Sequence, residues 1–207
     1  MPPVRRAFPA FLVVLALLAG CRREIPNLDS PGTTIVAFGD SITAGYGADG
    51  PGTTYPERLA EKIGRPVINA GVPGDTTADA LARIEPMLAQ DPWLVIVELG
   101  GNDLLHQVPI ERTEANLQAI VERLLAARTV PVLIEIHGPF GGGRYADLFE
   151  RLGDKYHVPV LEDALPEILS DRTLKSDEIH PNAAGYAKLA EAVSEELTPI
   201  LKRRGAR

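Results

Sequence analysis

Five short apolar runs recur along the chain, and each leads into a glycine- or Asp/Asn-rich turn or an amphipathic stretch. The runs are Thr34 to Phe38, Val67–Ile68, Leu94 to Leu99, Val132 to Ile136 and the weaker Val158 to Leu161. Near-continuous apolar runs of this length fit parallel strands covered on both faces. Between them the period changes to that of a helix. Thr113 to Arg128 carries Leu117, Ile120, Val121 and Leu124 on one stripe. Asn182 to Lys202 places Tyr186, Leu189, Ala190, Val193, Leu197, Ile200 and Leu201 on one face and acids largely on the other. Tyr55 to Ile63, Thr76 to Ile84 and Arg144 to Tyr156 complete the set, with Pro86 expected to kink or restart the second of these. Strand–helix alternation with right-handed crossovers predicts an α/β protein, a three-layer α/β/α sandwich.

The first 33 residues break this pattern. Arg5 and Arg6 precede an almost wholly apolar run, Phe8 to Leu18, too short for a membrane-spanning helix. A positive start, a short apolar run and a small-residue exit describe a secretory signal over residues 1–20. The exit, Leu18-Ala19-Gly20-Cys21, resembles the bacterial lipobox, in which the cysteine is lipidated and becomes the first mature residue. Residues 21–33, rich in Pro, Asn, Asp, Ser and Gly, read as a lipidated tether, and 34–207 as the folded domain. Arg22 after the cysteine, in place of Asp, resembles lipoproteins sent to the outer membrane. The expected location is therefore periplasmic or at the bacterial cell surface.

Composition narrows the function. The chain has 207 residues and a net charge of −7, which becomes −9 when the signal leaves with Arg5 and Arg6. One domain accounts for that length, with a monomer expected. An acidic chain without a basic stripe is a poor nucleic-acid binder. The single cysteine, Cys21, makes neither an internal disulfide nor a cysteine zinc site.

In open parallel sheets function gathers beyond the carboxyl ends of the strands. There the chain places Gly39-Asp40-Ser41-Ile42, then Asn69 to Thr76, then Gly100-Gly101-Asn102-Asp103, and before the last helix Asp177 to Asn182. A serine needs a base to become a nucleophile at neutral pH, and the base needs a group that sets its tautomer. Asp177 and His180 stand three residues apart, within reach of each other from one short loop. A tetrahedral intermediate needs donors for its oxyanion. The Ser41 N–H, a loop glycine (Gly71 or Gly74) and the Asn102 amide supply three.

Each motif alone is weak; all four in this order are specific. Together they resemble the SGNH hydrolases, the GDSL lipase and esterase family, over roughly residues 34 to 200. The bacterial arylesterase, acyl-thioesterase and lysophospholipase type is the most similar. The resemblance implies a flavodoxin-like five-stranded parallel sheet, no metal and no organic cofactor. It makes Ser41 the nucleophile, His180 the base and Asp177 its orienting carboxylate. Ser41, Asn102 and Gly74 then form the oxyanion hole, Gly74 being preferred to Gly71 because it precedes a helix start. The substrate implied is a small acyl ester or lysophospholipid-like molecule. An O-acetyl esterase of carbohydrate or cell wall is the alternative on the same scaffold, and a non-catalytic lipid- or glycan-binding protein a more distant one. Ile42 stands where the family name has leucine. An α/β-hydrolase would carry Gly-x-Ser-x-Gly, which this chain lacks.

Several residues take a plainer reading. Asp40 is expected to brace the nucleophile loop, and Glu98 and Glu135 to bond neighbouring backbone. His106, His137 and His157 lack metal-ligand spacing, though His106 is close enough to Asn102 to face the cleft. Leu104, Leu105, Val108 and Phe140 are candidates for an acyl pocket. Gly141 to Arg144 reads as a flexible turn, and Lys202, Arg203, Arg204 and Arg207 as a solvated tail.

Overall fold

A computed structural model describes residues 24–137 and 142–205 of the chain. Five parallel strands form one sheet in the order β2-β1-β3-β4-β5. They are β1 (Thr34–Gly39), β2 (Val67–Gly71), β3 (Pro92–Glu98), β4 (Val130–Ile134) and β5 (Val160–Leu161). β1, β3 and β4 are buried almost throughout, as their unbroken apolar sequences require, whereas β2 and β5 at the edges are half-exposed. Register is simple across the centre, with Val36 beside Ile68 on one side and Val95 on the other.

Helices α2 (Tyr55–Ile63) and α9 (Ala183–Gly205) pack together on one face of the sheet, and α3 (Thr77–Ala82), α6 (Ile110–Ala126) and α7 (Gly142–Tyr156) cluster on the other. The expected three layers and flavodoxin-like strand order are therefore present. Capping residues start α2 and α3: Thr54 with Glu57, and Thr76 with Asp79, each form a reciprocal capping box. The Pro86 expectation holds as a break. α3 ends at Ala82, and α4 (Ile84–Leu88) accommodates Pro86 in its first turn, where no N–H is missed. Pro199, by contrast, lies inside α9.

Three short elements gave no periodic signal: α1 (Ser41–Ala44), α5 (Gly101–Leu105) and α8 (Ala164–Ser170). The first two start directly after β1 and β3, and they carry the Gly-Asp-Ser and Gly-Asn-Asp motifs.

The segment expected to be a free tether is docked from its first described residues onward. Residues 1–20, expected to be a signal, lie outside the described residues, as do Cys21, residues 22–23, Phe140, Gly141 and Arg207. Asn27 donates its amide to the carbonyls of Leu125 and Thr129, at 2.9 and 3.1 Å. Leu28 is 3% exposed. Arg204 donates to the carbonyls of Ser30 and Gly32 and stacks on Trp93, 4.2 Å from the ring centre. Polar linker-like residues satisfy backbone groups at the sheet edge here, a use that composition does not reveal. Arg204 is accordingly a clamp and no part of a solvated tail. Gly142 and Gly143 likewise open α7 and do not form a free turn.

Candidate active site

The motifs converge beside the carboxyl ends of β1 and β3, the point where the strand order reverses. Asp40 caps α1 through its side chain, accepting from the Ile42 N–H at 3.0 Å. This is the bracing role expected of it. The next first-turn donor, the Thr43 N–H, goes to the Glu98 carboxyl at 3.1 Å. The Ser41 N–H, at the first helical position, belongs to the donors that a helix cannot satisfy itself.

Ser41 Oγ lies 2.9 Å from His180 Nε2. His180 Nδ1 lies 2.8 and 3.0 Å from the two Asp177 oxygens. Asp177 also accepts the backbone N–H groups of Ile179 and His180, each at 2.9 Å. The loop is thus folded around its own carboxylate. Burial pushes the Asp177 carboxyl up, but these N–H groups and the imidazole outweigh it and hold the group below its ordinary value. With Asp177 ionised, the proton of a neutral His180 stays on Nδ1, which leaves Nε2 to accept from the Ser41 hydroxyl. Tyr46 packs its ring 4.5 Å from that of His180, and Tyr186 in α9 fixes Tyr46 through its carbonyl at 2.7 Å.

Asn102 donates both amide hydrogens, one to Asp40 Oδ2 and one to the Asp75 carbonyl, each at 2.9 Å. Two acceptors around one nitrogen also settle which way the amide points. The Asp75 loop is itself stitched down by Arg83. That side chain binds the Asp75 carboxylate and the carbonyls of Ala70 and Gly39, and covers the Phe38 ring. Asp103, fully buried, accepts from the Thr77 N–H and hydroxyl at 2.7 and 2.6 Å and from Thr113, joining α5 to α3 and α6.

The two candidate glycines differ. The Gly71 N–H is already given to Asn69 Oδ1 at 2.9 Å. Gly74 is exposed at φ +88°, in a turn closed by Asp75 N–H to Val72 carbonyl. Proline at the second position and a positive-φ glycine at the third are the marks of a type II turn. Gly74 does not line the main cleft; it stands one residue before the carbonyl that holds Asn102.

Glu98 lies under this assembly, completely buried. Its Oε2 accepts the Thr43 N–H and hydroxyl, and Oε1 has no partner among the described residues. Burial and the neighbouring Asp40 push Glu98 well above the usual carboxylate range. Burial likewise pushes Asp40 up to about 6, against the pull of the Ile42 N–H. Glu135 bonds backbone as expected, accepting the Asp163 N–H at 3.1 Å, and its other oxygen lies 3.3 Å from His137 Nε2. Glu135, His137 and Asp163 form the one group among the described residues able to converge on a cation, but the Asp163 side chain is 76% exposed.

A cleft of about 1480 Å³ opens over Ser41 and His180, walled by Leu104, Leu105, Val108, Ile110, Ile136 and Leu169. His137, and not His106, is the second imidazole on its wall. The sequence motifs did not contain Tyr46, Arg83 or Thr43. Asp75 lay inside the Asn69–Thr76 motif without a role of its own, and its partner Arg83 could have been sought one helix later.

Residues 37–188 match the model of the GDSL-like lipase/acylhydrolase family. Esterase TesA of Pseudomonas aeruginosa is 32% identical over 197 residues, covering 89% of this chain and 98% of the relative. Thioesterase 1/protease 1/lysophospholipase L1 of Escherichia coli K12 is 32% identical over 177 residues, 81% of this chain and 85% of the relative. Among solved structures, TesA superposes with a TM-score of 0.75 at 28% identity, over 81% of this chain and 99% of TesA. The chain belongs to the GDSL-like lipase/acylhydrolase family and is an ester-bond hydrolase.

Proposed function

We propose that the chain is a serine esterase of carboxylic esters and thioesters, exported and held at a membrane by a lipid on Cys21. The observation that carries the chemistry is the continuous relay from Asp177 through His180 to Ser41, at 2.8 and 2.9 Å, open to a large apolar cleft. Ser41 Oγ attacks the acyl carbonyl and its proton passes to His180 Nε2. The tetrahedral intermediate collapses, and the alcohol or thiol leaves with that proton. Water then cleaves the acyl-enzyme by the same route.

The oxyanion takes the N–H groups of Ser41 and Gly74 and the amide of Asn102. Gly71 is a poor donor because its N–H is committed to Asn69. Both Asn102 hydrogens are engaged, so the substrate oxygen replaces the Asp75 carbonyl while Asp40 keeps its hold and the amide its direction. Neither step calls for a metal or an organic cofactor.

The volume and apolar walls of the cleft favour acyl chains longer than acetyl, and with them a small acyl ester or lysophospholipid-like substrate over an O-acetyl glycan. The activities for which relatives are named, thioesterase, lysophospholipase and arylesterase, support the same choice. The lipobox around Cys21 supports export and anchoring, with Arg22 favouring the outer membrane of the bacterial envelope.

Hydrolysis of p-nitrophenyl esters from acetate to palmitate tests the reading. The expected profile peaks at medium or long chains, and Ser41→Ala lowers turnover by about 10⁴-fold or more. Activity confined to acetate selects the O-acetyl esterase instead. An unchanged rate in Ser41→Ala removes the mechanism. Anchoring is read separately, by loss of detergent partitioning in Cys21→Ala.

A further inference from the structure

Residues 25–33 run along the amino-terminal edge of the sheet, opposite the cleft. Ile25 lines a small surface pocket together with His157 and Val158, just before β5. Asn27 bonds Leu125 and Thr129 before β4, and Asp29 pairs with Arg128. Gly32 abuts Pro92 and Trp93 at the start of β3, so closely that a Cβ there would meet Pro92 backbone at 2.6 Å. Arg204, at the end of α9, closes over Ser30 and Gly32. The chain then enters β1. The segment is therefore a strap crossing β5, β4 and β3 in turn. At the other end stand the large hydrophobics exposed among the described residues: Tyr46, Val72 and Ile179 on loops around the site, and Leu105 at the end of α5.

We propose that this strap holds the cleft away from the bilayer that carries the anchor. The acyl esters it hydrolyses then arrive from the water phase or from a facing membrane, and not from that bilayer. The inference rests on the reading of Cys21 as lipidated. Two residues, Arg22 and Arg23, separate Cys21 from Glu24, so the three Cα steps make a leash of at most about 11 Å. The six residues of β1 alone span about 20 Å from the strap to the site. A leash of that length cannot bring the apolar rim round to the membrane while the strap stays docked.

The test uses the lipidated full chain in vesicles, beside a variant with a flexible insert of about 20 residues between Arg23 and Glu24, whose reach is about 25 Å. Flotation with vesicles by the wild type but not by Cys21→Ala establishes the anchor. Failure to float overturns the anchor and this proposal with it, while leaving the esterase reading intact. A water-soluble p-nitrophenyl ester is expected to be cleaved equally with and without the insert. A non-exchanging fluorogenic ester lipid in the same vesicles is expected to be cleaved about tenfold faster with the insert than without it. Equal rates overturn the proposal. The same lipid in separate, protein-free vesicles distinguishes a facing membrane from the water phase as source. A readout free of catalysis is energy transfer to a headgroup dye from a label at Gln90→Cys or at Leu105→Cys. Strong transfer from position 90 and weak transfer from 105 is expected. Equal transfer without the insert overturns the strap even if no ester is cleaved.

Discussion

At the scale of single residues the site is a set of ionisable groups whose surroundings drive them apart. Asp177 sits among N–H donors that hold its carboxyl below the ordinary value, while burial beside Asp40 pushes Glu98 well above it. Glu98 and Asp40 therefore bind protons more tightly in the folded chain than unfolded. Their contribution to stability is complete below the unfolded values near 4 and is lost as pH rises through about 6 for Asp40. Glu98→Gln keeps an acceptor for Thr43 and does not titrate. The melting temperature of Glu98→Gln relative to wild type is expected to rise between pH 5 and pH 8 in thermal denaturation. A difference that stays flat across that range removes the buried acid from the account. The catalytic candidates were legible because each stands in a short motif: Ser41 beside Asp40, and Asp177 three residues from His180. The groups that aim them were not. Thr43 meets Glu98 across 55 residues, and Tyr186 meets Tyr46 across 140. A pair at such separation leaves no local spacing to read.

At the scale of elements, two glycines a few residues apart do different work. A Cβ at Gly71 would sit 2.2 Å from the Ala44 backbone nitrogen and 2.7 Å from the Thr43 carbonyl carbon, so β2 and the helix bearing Ser41 touch there. Gly74 has open space but a positive φ. Gly71→Ala is expected to cost about 1–3 kcal/mol of stability by overpacking, and to lower kcat/KM by moving α1. Gly74→Ala is expected to cost about 1–2 kcal/mol from backbone strain alone. Denaturant unfolding and ester kinetics on the two variants check the pair. Equal behaviour contradicts the assignment of close packing to one and turn geometry to the other. The long elements were readable from period alone, with boundary shifts of a few residues: β4 runs over 130–134 where 132–136 was expected. α1, α5 and α8 were not, because four to seven residues cannot display a 3.6-residue repeat. Residues 24–33 misled for the opposite reason. Asn27 and Ser30 belong to a composition typical of linkers, yet it is backbone carbonyls at the sheet edge that Asn27 finds, and the clamp on Ser30 comes from Arg204, 174 residues away.

At the scale of the molecule, the order of the strands sets what the motifs can do. Placing β1 and β3 side by side sends their following loops to one end of the sheet, and the loop before α9 arrives there over the top of α1. The relay thus joins two kinds of contact. Asp177 and His180 find each other within one turn, while Ser41 and His180 are 139 residues apart in sequence. Closing the short loop costs little entropy, whereas the long one waits for the sheet and α9 to assemble. Hydrolysis is then a clock for the last stage of folding. After dilution from denaturant, activity is expected to return no earlier than the fluorescence change of Trp93, which is buried at the start of β3. The interval between the two signals measures how long the finished sheet waits for its final loop to dock.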